Sequence, residues 1–376
     1  MPAVLLNLDA LRHNTKNTVA WAARLGVRVL PVLKGVASHP LALRVLRDEG
    51  FSRFALAETG ELSAYGRTAE PTLARRQERV LMQICPVSQA RWVSATFGRS
   101  FHSQLPSLRA VDRAAGELGI DHEAMLMVDV GEGREGVYLP DFPAFLEEAL
   151  SLRHVRVAGV GVTLGCLGRR VPEDGFAEEL ESLRDLLRAR GLSAPEISVG
   201  GSVFCAWLEA GRNRECVTEA RLGANFILGE DTYRRADLPG GVLRRDVALL
   251  AAEVLEVEPR RYGTEAPALP DNDGYPLMPS PPPGVRRCAL LDVGRMHVKL
   301  EDLACLLQGA SIIGVSSNYT VLDVTDCAAA PKPGGRVFFR MGYWSMGRLF
   351  RSPAIEVLAV RDDSPERRAA MHAGTA

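Results

Sequence analysis

Val29-Leu30-Pro31-Val32-Leu33-Lys34 is an apolar run near the start of the chain that ends on a single lysine. The run predicts a buried strand, and an ammonium group at the end of such a strand loses much of its hydration. A desolvated lysine has a lowered pKa and can form a Schiff base with a carbonyl cofactor. The alternative is a lysine whose ammonium snorkels into water from the strand end. The rest of the chain favours the first interpretation.

Similar apolar runs alternate with amphipathic helical patterns through roughly the first 235 residues. The candidate strands are Val29–Leu33, Phe54–Ala57, Val80–Cys85, Ser100–Gln104, Met125–Val130, Val155–Thr163, Ile197–Gly200 and Ala220–Leu228. Pro40–Glu49, Phe142–Leu152 and Phe176–Arg190 are among the helical patterns between them. Eight alternating units predict a (β/α)8 TIM-like barrel. A doubly wound open sheet is the competitor, and we disfavour it because no Gly-x-Gly-x-x-Gly motif follows the first strand.

The pattern changes at Pro239-Gly240-Gly241. The β-rich runs that follow are Val247–Val257, Arg287–Val293, Ser311–Val315, Thr320–Val324, Arg336–Phe339 and Ala354–Val360. We therefore predict an α/β protein with a barrel over residues 1–236 and a mainly β domain over residues 237–376. The proline-rich segment 266–284 predicts a long surface loop. The polar residues from Asp363 onward predict a frayed end.

Composition excludes several classes of protein. A net charge of −1 over 376 residues gives no electrostatic footprint for nucleic acid or an anionic membrane. Residues 1–9 lack the features of a signal peptide, and no apolar stretch is long enough to span a bilayer. The seven cysteines are scattered and form no Cys-x-x-Cys pair, which indicates a reduced, cytoplasmic protein without a zinc site.

Chemistry in a barrel of this kind lies where the strands end. The turns predicted there are Asp129–Gly136 with Arg134, Thr163–Gly168 with Cys166, Gly200-Gly201-Ser202, and Arg221-Leu222-Gly223-Ala224. Glycine amides and a serine hydroxyl after the seventh strand suit a phosphate group, although a plain tight turn has the same residues. Arg221 alone could equally form a salt bridge on the barrel wall. A lysine, a phosphate cradle and an arginine together indicate pyridoxal 5′-phosphate.

The chain resembles the alanine racemase family of fold-type III pyridoxal-phosphate enzymes, and within it the ornithine-racemase-like branch. The segments that carry the resemblance are Pro31–Lys34, Met127–Val137, Gly161–Cys166, Gly200–Ser202, Arg221–Gly229 and Gly314–Thr325. They are spread over nearly the whole chain, in the family's order. The resemblance therefore implies both the barrel and the cofactor.

The resemblance also implies roles for individual residues. Lys34 is similar to the lysine that joins the cofactor, and Arg221 is similar to the arginine that faces its pyridine nitrogen. The residues implied at the phosphate are Gly201, Ser202, Gly223 and Ala224. The residues implied at the substrate are Arg134, Arg295, Ser317 and Asn318. Because the Ser317 region serves the partner subunit in the family, the resemblance implies a homodimer with shared active sites, in which the second domain completes the partner's site.

Three positions depart from the family's pattern. Arg295 stands where alanine racemases carry a catalytic tyrosine, and Ser38 and His39 stand where a phosphate-binding tyrosine is expected. Met127 stands at the position of a lysine that is modified in some relatives. The second acid/base is therefore open, and the candidates are Cys166, His297 and Tyr319. The alternatives are a small buried residue for Cys166, a solvated loop histidine for His297 and packing for Tyr319.

We expect an amino-acid racemase or epimerase that inverts Cα of a free amino acid, for example a basic one such as ornithine, through an external aldimine and a carbanion. Lys34 would serve one face of Cα and the second acid/base the other. A pyridoxal-phosphate aldolase or lyase of the same fold is the main alternative, although the sequence has no clear metal-ligand cluster. A non-catalytic cofactor carrier is the third, and the long second domain counts against it because known carriers are barrels alone.

Overall fold

The computed structural model describes residues 1–61, 73–212, 215–230, 243–263 and 281–372. The chain divides into two compact units, one of Arg12–Leu243 and one of Met1–Leu11 with Arg244–Ala376. The break predicted at Pro239-Gly240-Gly241 and residues 266–280 of the predicted surface loop lie outside the described residues.

The first unit is built on parallel strands. Strand β1 (Ala3–Asn7) belongs to the second unit. The strands of the first unit are β2 (Arg28–Pro31), β3 (Phe54–Leu56), β4 (Arg79–Ile84), β5 (Arg99–His102), β6 (His122–Asp129), β7 (Val137–Tyr138), β8 (Val155–Thr163), β9 (Glu196–Gly200) and β10 (Glu219–Leu222). Eight of them pair in the order β2-β10-β9-β8-β6-β5-β4-β3, and the short β7 adds to β6. A parallel bridge between Val32 and Ala55 joins β2 to β3. The ring is closed, and the predicted barrel is confirmed.

Two of the predicted strands run too far along the chain. The first ends at Pro31, and Leu33–Val36 forms one turn of 3₁₀ helix. The eighth ends at Leu222, and Ala224–Leu228 is helical. An apolar run does not by itself distinguish a buried strand from a short buried helix. The prediction therefore placed the end of each of these strands too late.

Helices cover the outside of the sheet. The described helices up to Gly229 are Leu8–Arg24, Pro40–Asp48, Ala90–Thr96, Leu105–Leu118, Phe142–Leu150, Phe176–Ala189, Val203–Glu209 and Ala224–Leu228, and the three predicted helical patterns are confirmed. Leu108, Val111 and Ala115 recur at helical spacing and are buried. Gly119, at φ +65°, ends their helix in the left-handed conformation. Such apolar stripes hold each helix against the barrel.

The second unit is mainly β, as predicted. Its remaining strands are β11 (Ala248–Tyr262), β12 (Gly284–Leu291), β13 (Leu303–Cys305), β14 (Ser311–Val315), β15 (Thr320–Asp323), β16 (Arg336–Met341) and β17 (Glu356–Val360). They pair in the order β13-β16-β11-β12-β15-β14, and β1 lies between β11 and β17.

The described part of the second unit also holds the helices Tyr343–Arg351 and Pro365–His372. The prediction of a frayed end was wrong for the latter, because Ala370 is buried in an apolar cluster with Leu5 and Val360. In the part of the chain that the structure describes, no helix is both long enough and apolar enough to cross a bilayer.

Candidate active site

Lys34 lies in the 3₁₀ turn that follows β2, at the carboxyl end of the barrel strands. Ala37 and Ser38, which follow this turn, have φ angles of 44° and 58°, which are unusual for residues other than glycine. The backbone N–H groups of these two residues close the turn onto the carbonyls of Lys34 and Leu33, both at 3.3 Å. Ser38 also donates its hydroxyl to Glu61, at 3.2 Å. The lysine is thus held in a tightly wound turn, a kind of backbone strain that clusters at functional sites.

The Lys34 side chain is exposed. The expectation of a desolvated lysine at a strand end was therefore wrong, because β2 stops at Pro31 and Lys34 lies in the 3₁₀ turn that follows. The turn still lies against β10: the N–H of Val32 donates to the carbonyl of Leu222, at 2.7 Å. A Cβ on Gly223 would come within 2.5 Å of the Val32 carbonyl oxygen. Glycine at 223 therefore lets the end of β10 approach the segment that carries Lys34.

The predicted phosphate cradle follows β9. Gly201 has a φ of +118°, and a Cβ there would lie 2.2 Å from the carbonyl oxygen of Leu164. Only glycine fits this turn. Ser202 follows it directly and precedes the helix Val203–Glu209. The turn thus presents a bare backbone and a hydroxyl next to each other, which is the chemistry of an anion cradle.

Arg221 is buried inside the barrel, 5% exposed. Its Nη1 donates to the backbone oxygen and the hydroxyl of Ser198, at 2.8 and 2.9 Å. Its Nη2 donates to the carbonyl of Val162 and the hydroxyl of Thr163, at 2.7 and 2.9 Å. All four Nη hydrogens are therefore used, and within the described residues only the Nε–H has no acceptor. The guanidinium also lies over the ring of Phe101, 5.0 Å from its centroid.

These contacts decide between the two interpretations of Arg221. Its partners are carbonyls and hydroxyls, and no carboxylate among the described residues pairs with it, so the salt-bridge alternative was wrong. Burial lowers the pKa of Arg221 to about 10, which leaves the guanidinium charged at neutral pH. A charged donor with one N–H to offer is suited to an acceptor such as a pyridine nitrogen.

Arg134 and Cys166 come together on neighbouring turns. Arg134 forks through Nε and Nη2 onto the carboxylate of Glu135. The hydrogen bond to Glu135, and after it the proximity of the Cys166 thiol, raise the pKa of Arg134. Cys166 is exposed, so the alternative of a small buried residue was wrong. An exposed thiol beside a guanidinium can take part in proton transfer.

Glu132 fixes the turn that carries Cys166, and the sequence analysis did not find it. Glu132 is 2% exposed, and its carboxylate accepts the N–H of Gly165, at 3.0 Å, and the N–H of Leu167. Asp129 organises its own turn by accepting the N–H groups of Gly131 and Gly133, at 2.9 and 3.1 Å. An acidic residue within a glycine-rich turn was the only sequence signal for Glu132.

The candidates of the second unit lie on two adjoining turns. The N–H of Arg295 donates to the carbonyl of Ser316, and the N–H of Met296 to that of Ser317, both at 3.0 Å. The turns therefore bring Arg295 and His297 next to Ser317, Asn318 and Tyr319. His297 accepts the N–H of Gly294 at Nδ1, at 3.2 Å, which makes it a cap of its turn.

Tyr319 is 46% exposed, so it is not a core residue of its own unit. It lies next to Ser317 and Asn318, which are exposed as well. The turn therefore presents three exposed polar side chains in a row.

The residues of the barrel unit fit pyridoxal phosphate. Lys34 offers an exposed amine, the Gly201–Ser202 turn has room only for glycine beside a hydroxyl, and Arg221 keeps one N–H for a ring nitrogen. Lys34 and the Gly201–Ser202 turn follow β2 and β9, and Arg221 lies within β10. Within the described ranges, no group of three histidine, cysteine, aspartate or glutamate side chains could hold a metal ion.

Comparison with known proteins gives a family match over residues 6–228, described as "Alanine racemase, N-terminal domain". An ornithine racemase from Acetoanaerobium sticklandii is 26% identical over 362 residues, which are 94% of this chain and 98% of that protein. A lysine racemase from Thermotoga maritima is 25% identical over 361 residues, 94% of this chain and 97% of that protein.

Among solved structures, an alanine racemase from Streptomyces coelicolor A3(2) superposes with a TM-score of 0.71 at 18% identity, covering 96% of this chain and 98% of that one. A D-threonine aldolase from Filomicrobium marinum reaches a TM-score of 0.69 at 15% identity, covering 96% and 92%. At these identities the structural likeness supports the fold alone, which racemases and an aldolase share.

Proposed function

Because the chain belongs to the alanine racemase N-terminal domain family, we propose that this pyridoxal-phosphate-dependent amino-acid racemase acts on a basic amino acid such as ornithine or lysine. The observation that carries the choice of substrate is the similarity, over 94% of this chain, to an ornithine racemase and to a lysine racemase. Neither relative is an aldolase or a cofactor carrier.

Pyridoxal phosphate, when bound, supplies an electron sink that makes the proton on Cα acidic. In our proposal Lys34 holds the cofactor, the Gly201–Ser202 turn with Gly223 and Ala224 binds its phosphate, and the Nε–H of Arg221 faces its ring nitrogen. Because Arg221 is a buried cation whose other four N–H bonds go to the barrel wall, it is held rigidly for that contact.

Inversion at Cα requires one group to remove a proton and another to return one on the opposite face. We assign the Nζ of Lys34 to one face and the Sγ of Cys166 to the other. Glu132 holds the amides on both sides of Cys166 and so fixes the thiol. Arg134, beside Cys166, would bind the substrate carboxylate with the part of its guanidinium that Glu135 does not use.

The second unit enters the proposal through the turns of residues 294–298 and 316–319. We propose that Arg295, Ser317 and Asn318 contact the substrate of the partner subunit in a homodimer, with His297 and Tyr319 as the reserve candidates for the second acid/base. We also propose a cytoplasmic location, because all seven cysteines are free thiols.

Chiral chromatography tests the reaction and the substrate together. The protein, loaded with pyridoxal phosphate, is incubated with each enantiomer of ornithine, lysine and alanine. We expect loss of one enantiomer with gain of its mirror image, faster for ornithine and lysine than for alanine. Release of a small aldehyde would instead identify a lyase, and turnover of alanine alone would refute the basic substrate.

Mixing two inactive variants tests the shared sites. Lys34→Ala and Arg295→Ala alter residues that, in the proposal, serve the same site from different subunits. Heterodimers formed after subunit exchange would each contain one intact site, so activity should return to about a quarter of the wild-type value. If the mixture stays inactive although heterodimers form, the sites are not shared in this way.

A further inference from the structure

A row of buried polar side chains crosses the interior of the barrel from Arg99 to Arg221. Arg99 is 1% exposed, Ser198 0%, and Glu219 and Arg221 5% each. Arg99 and Glu219 are the first residues of β5 and β10, Ser198 is the middle residue of β9, and Arg221 lies two residues beyond Glu219 in β10. Charged side chains are rarely buried to this extent unless they are paired, so their pairing has to be accounted for.

The amino-end part of the row is an ion cluster. Arg99 forks onto Glu196 with two bonds of 2.8 Å, and its Nε donates to Glu123 at 2.8 Å. Although burial acts to lower the pKa of Arg99, Glu196 and the neighbouring carboxylates raise it. Glu219 lies further from Arg99, at 3.8 Å. The charge of Arg99 is therefore met mainly by Glu196 and Glu123, which leaves Glu219 available to other groups.

Glu219 is bonded to Ser198 instead. The Ser198 hydroxyl donates to Oε1 of Glu219 at 2.7 Å and accepts from Nη1 of Arg221 at 2.9 Å. A hydroxyl has one hydrogen to give, so the bond to Glu219 fixes the direction of the lone pair that receives Arg221. The pairing of Glu219 with Ser198 in turn is set by the backbone, since their Cα atoms are partners in the β9–β10 ladder.

We propose that Ser198 and Glu219 are positioning residues for the racemase reaction: they orient the guanidinium of Arg221 and supply its counter-charge, so that its Nε–H is held toward the cofactor's ring nitrogen. This inference rests on the role proposed above for Arg221. Neither residue touches the cofactor itself in this scheme, and both act through Arg221. Glu219 also opposes the effect of burial on Arg221, since its charge favours the protonated guanidinium.

Binding of two cofactors to the cofactor-free protein tests the inference without relying on turnover. The probes are pyridoxal 5′-phosphate and its 1-deaza analogue, in which a C–H replaces the ring nitrogen. Wild type should bind pyridoxal phosphate at least about tenfold more tightly, because the analogue leaves the Nε–H of Arg221 without an acceptor. In Ser198→Ala and in Glu219→Gln this preference should fall to about threefold or less.

Glu196→Gln is the matched control. It removes a carboxylate from the same buried cluster, but Glu196 is bonded to Arg99 and not to Ser198, so the preference for the ring nitrogen should stay at the wild-type value. Ser198→Thr keeps the hydroxyl and should restore the preference that Ser198→Ala loses. Circular dichroism and thermal unfolding without cofactor identify any variant that does not fold, and the other variant of the pair then decides.

The outcomes separate the inference from the proposed function. If wild type prefers pyridoxal phosphate and the folded variants keep that preference, the positioning role is refuted while the racemase assignment stands. If wild type binds both probes equally, Arg221 does not face the ring nitrogen and the inference is refuted. If wild type binds neither probe, the proposed function itself fails. If Glu196→Gln also loses the preference for pyridoxal phosphate over the analogue, the effect comes from the buried network as a whole, and the positioning role of Ser198 and Glu219 is refuted.

Discussion

Gly200 and Arg221 are in contact inside the barrel: a Cβ on residue 200 would lie 2.4 Å from Nη2 of the arginine. The guanidinium can cross the barrel only because residue 200 has no side chain. This close approach links the turn assigned to the phosphate with the arginine assigned to the ring nitrogen. Gly200 therefore lets the guanidinium lie directly beside the start of the Gly201–Ser202 turn.

Gly200→Ala should displace Arg221 and break part of its set of four hydrogen bonds. We expect a loss of about 2–3 kcal/mol in the free energy of unfolding and a weaker affinity for pyridoxal phosphate. Urea unfolding of the cofactor-free protein and a cofactor titration measure the two effects. Gly314→Ala is the control, since a Cβ there meets Val321 at an ordinary 3.6 Å. Equal stability of the two variants would contradict the prediction.

Lys34→Ala should abolish both covalent attachment of the cofactor and turnover, with little change in stability because the side chain is exposed. Borohydride reduction followed by peptide mass spectrometry should find the phosphopyridoxyl group on the Lys34 peptide of wild type and on no peptide of the variant. Lys16→Ala, at an exposed helical lysine, is the control and should behave as wild type. Labelling of another lysine in wild type would move the site elsewhere.

Cys166→Ala should slow racemisation by about a hundredfold or more, the usual contribution of a positioned acid or base, without weakening cofactor affinity. In D2O the variant should still exchange the Cα proton of one enantiomer, because Lys34 remains on its face. Cys327→Ala, in the second unit, is the control thiol. An unchanged rate would show that Cys166 does not transfer the proton, and His297→Gln and Tyr319→Phe would be the next variants to measure.

Stability should fall as the pH drops below about 6.5, because of a buried histidine pair. His102 and His122 are both 0% exposed and share the hydroxyl of Ser100, at 2.8 and 2.7 Å. Burial lowers the pKa of His102 to about 3, and burial, His102 and Arg76 lower the pKa of His122 well below its ordinary value. As the pH falls below 6.5, these histidines bind protons in the unfolded chain but not in the folded one. Stability is therefore lost between pH 6.5 and the pKa values of the folded state.

Each histidine should cost about 1.4 kcal/mol per pH unit in that window. Urea unfolding at pH 7.5 and pH 5 measures the slope, and replacing both residues by glutamine should flatten it. Although burial acts to raise the pKa values of Glu123 and Glu196, Arg99 and its neighbours lower them, so these carboxylates contribute only near and below pH 4.5. A wild-type slope no steeper than that of the double variant would contradict the assignment.

Much of the barrel could be predicted from the order of apolar runs, because each strand of a parallel sheet is buried on both faces and is therefore apolar along its length. The turns after the strands were predictable for a related reason. Glycine appears where a backbone comes too close for a Cβ, as at Gly201 and Gly223, and such positions are visible in the sequence before the neighbour is known.

The roles of Glu132, Ser198 and Glu219 were not predictable, since their partners are 33, 23 and 21 residues away along the chain. The exposure of the side chains at the site was not predictable either. The sequence placed Lys34 at the end of a buried strand and left Cys166 open to being a core residue, and both side chains are exposed because the chain turns before it reaches them.

The sequence by itself thus determined the closed barrel, the lysine turn and the glycines at the strand ends, because these depend on local periodicity and on the steric needs of single residues. Tertiary structure alone decided that Arg221 donates its four Nη hydrogens to groups of the barrel wall and that Arg134 lies beside Cys166. It also decided that β1 pairs with β11 and β17. Hydrogen bonds and burial depend on which distant segments meet, and that is fixed only when the whole sheet has closed.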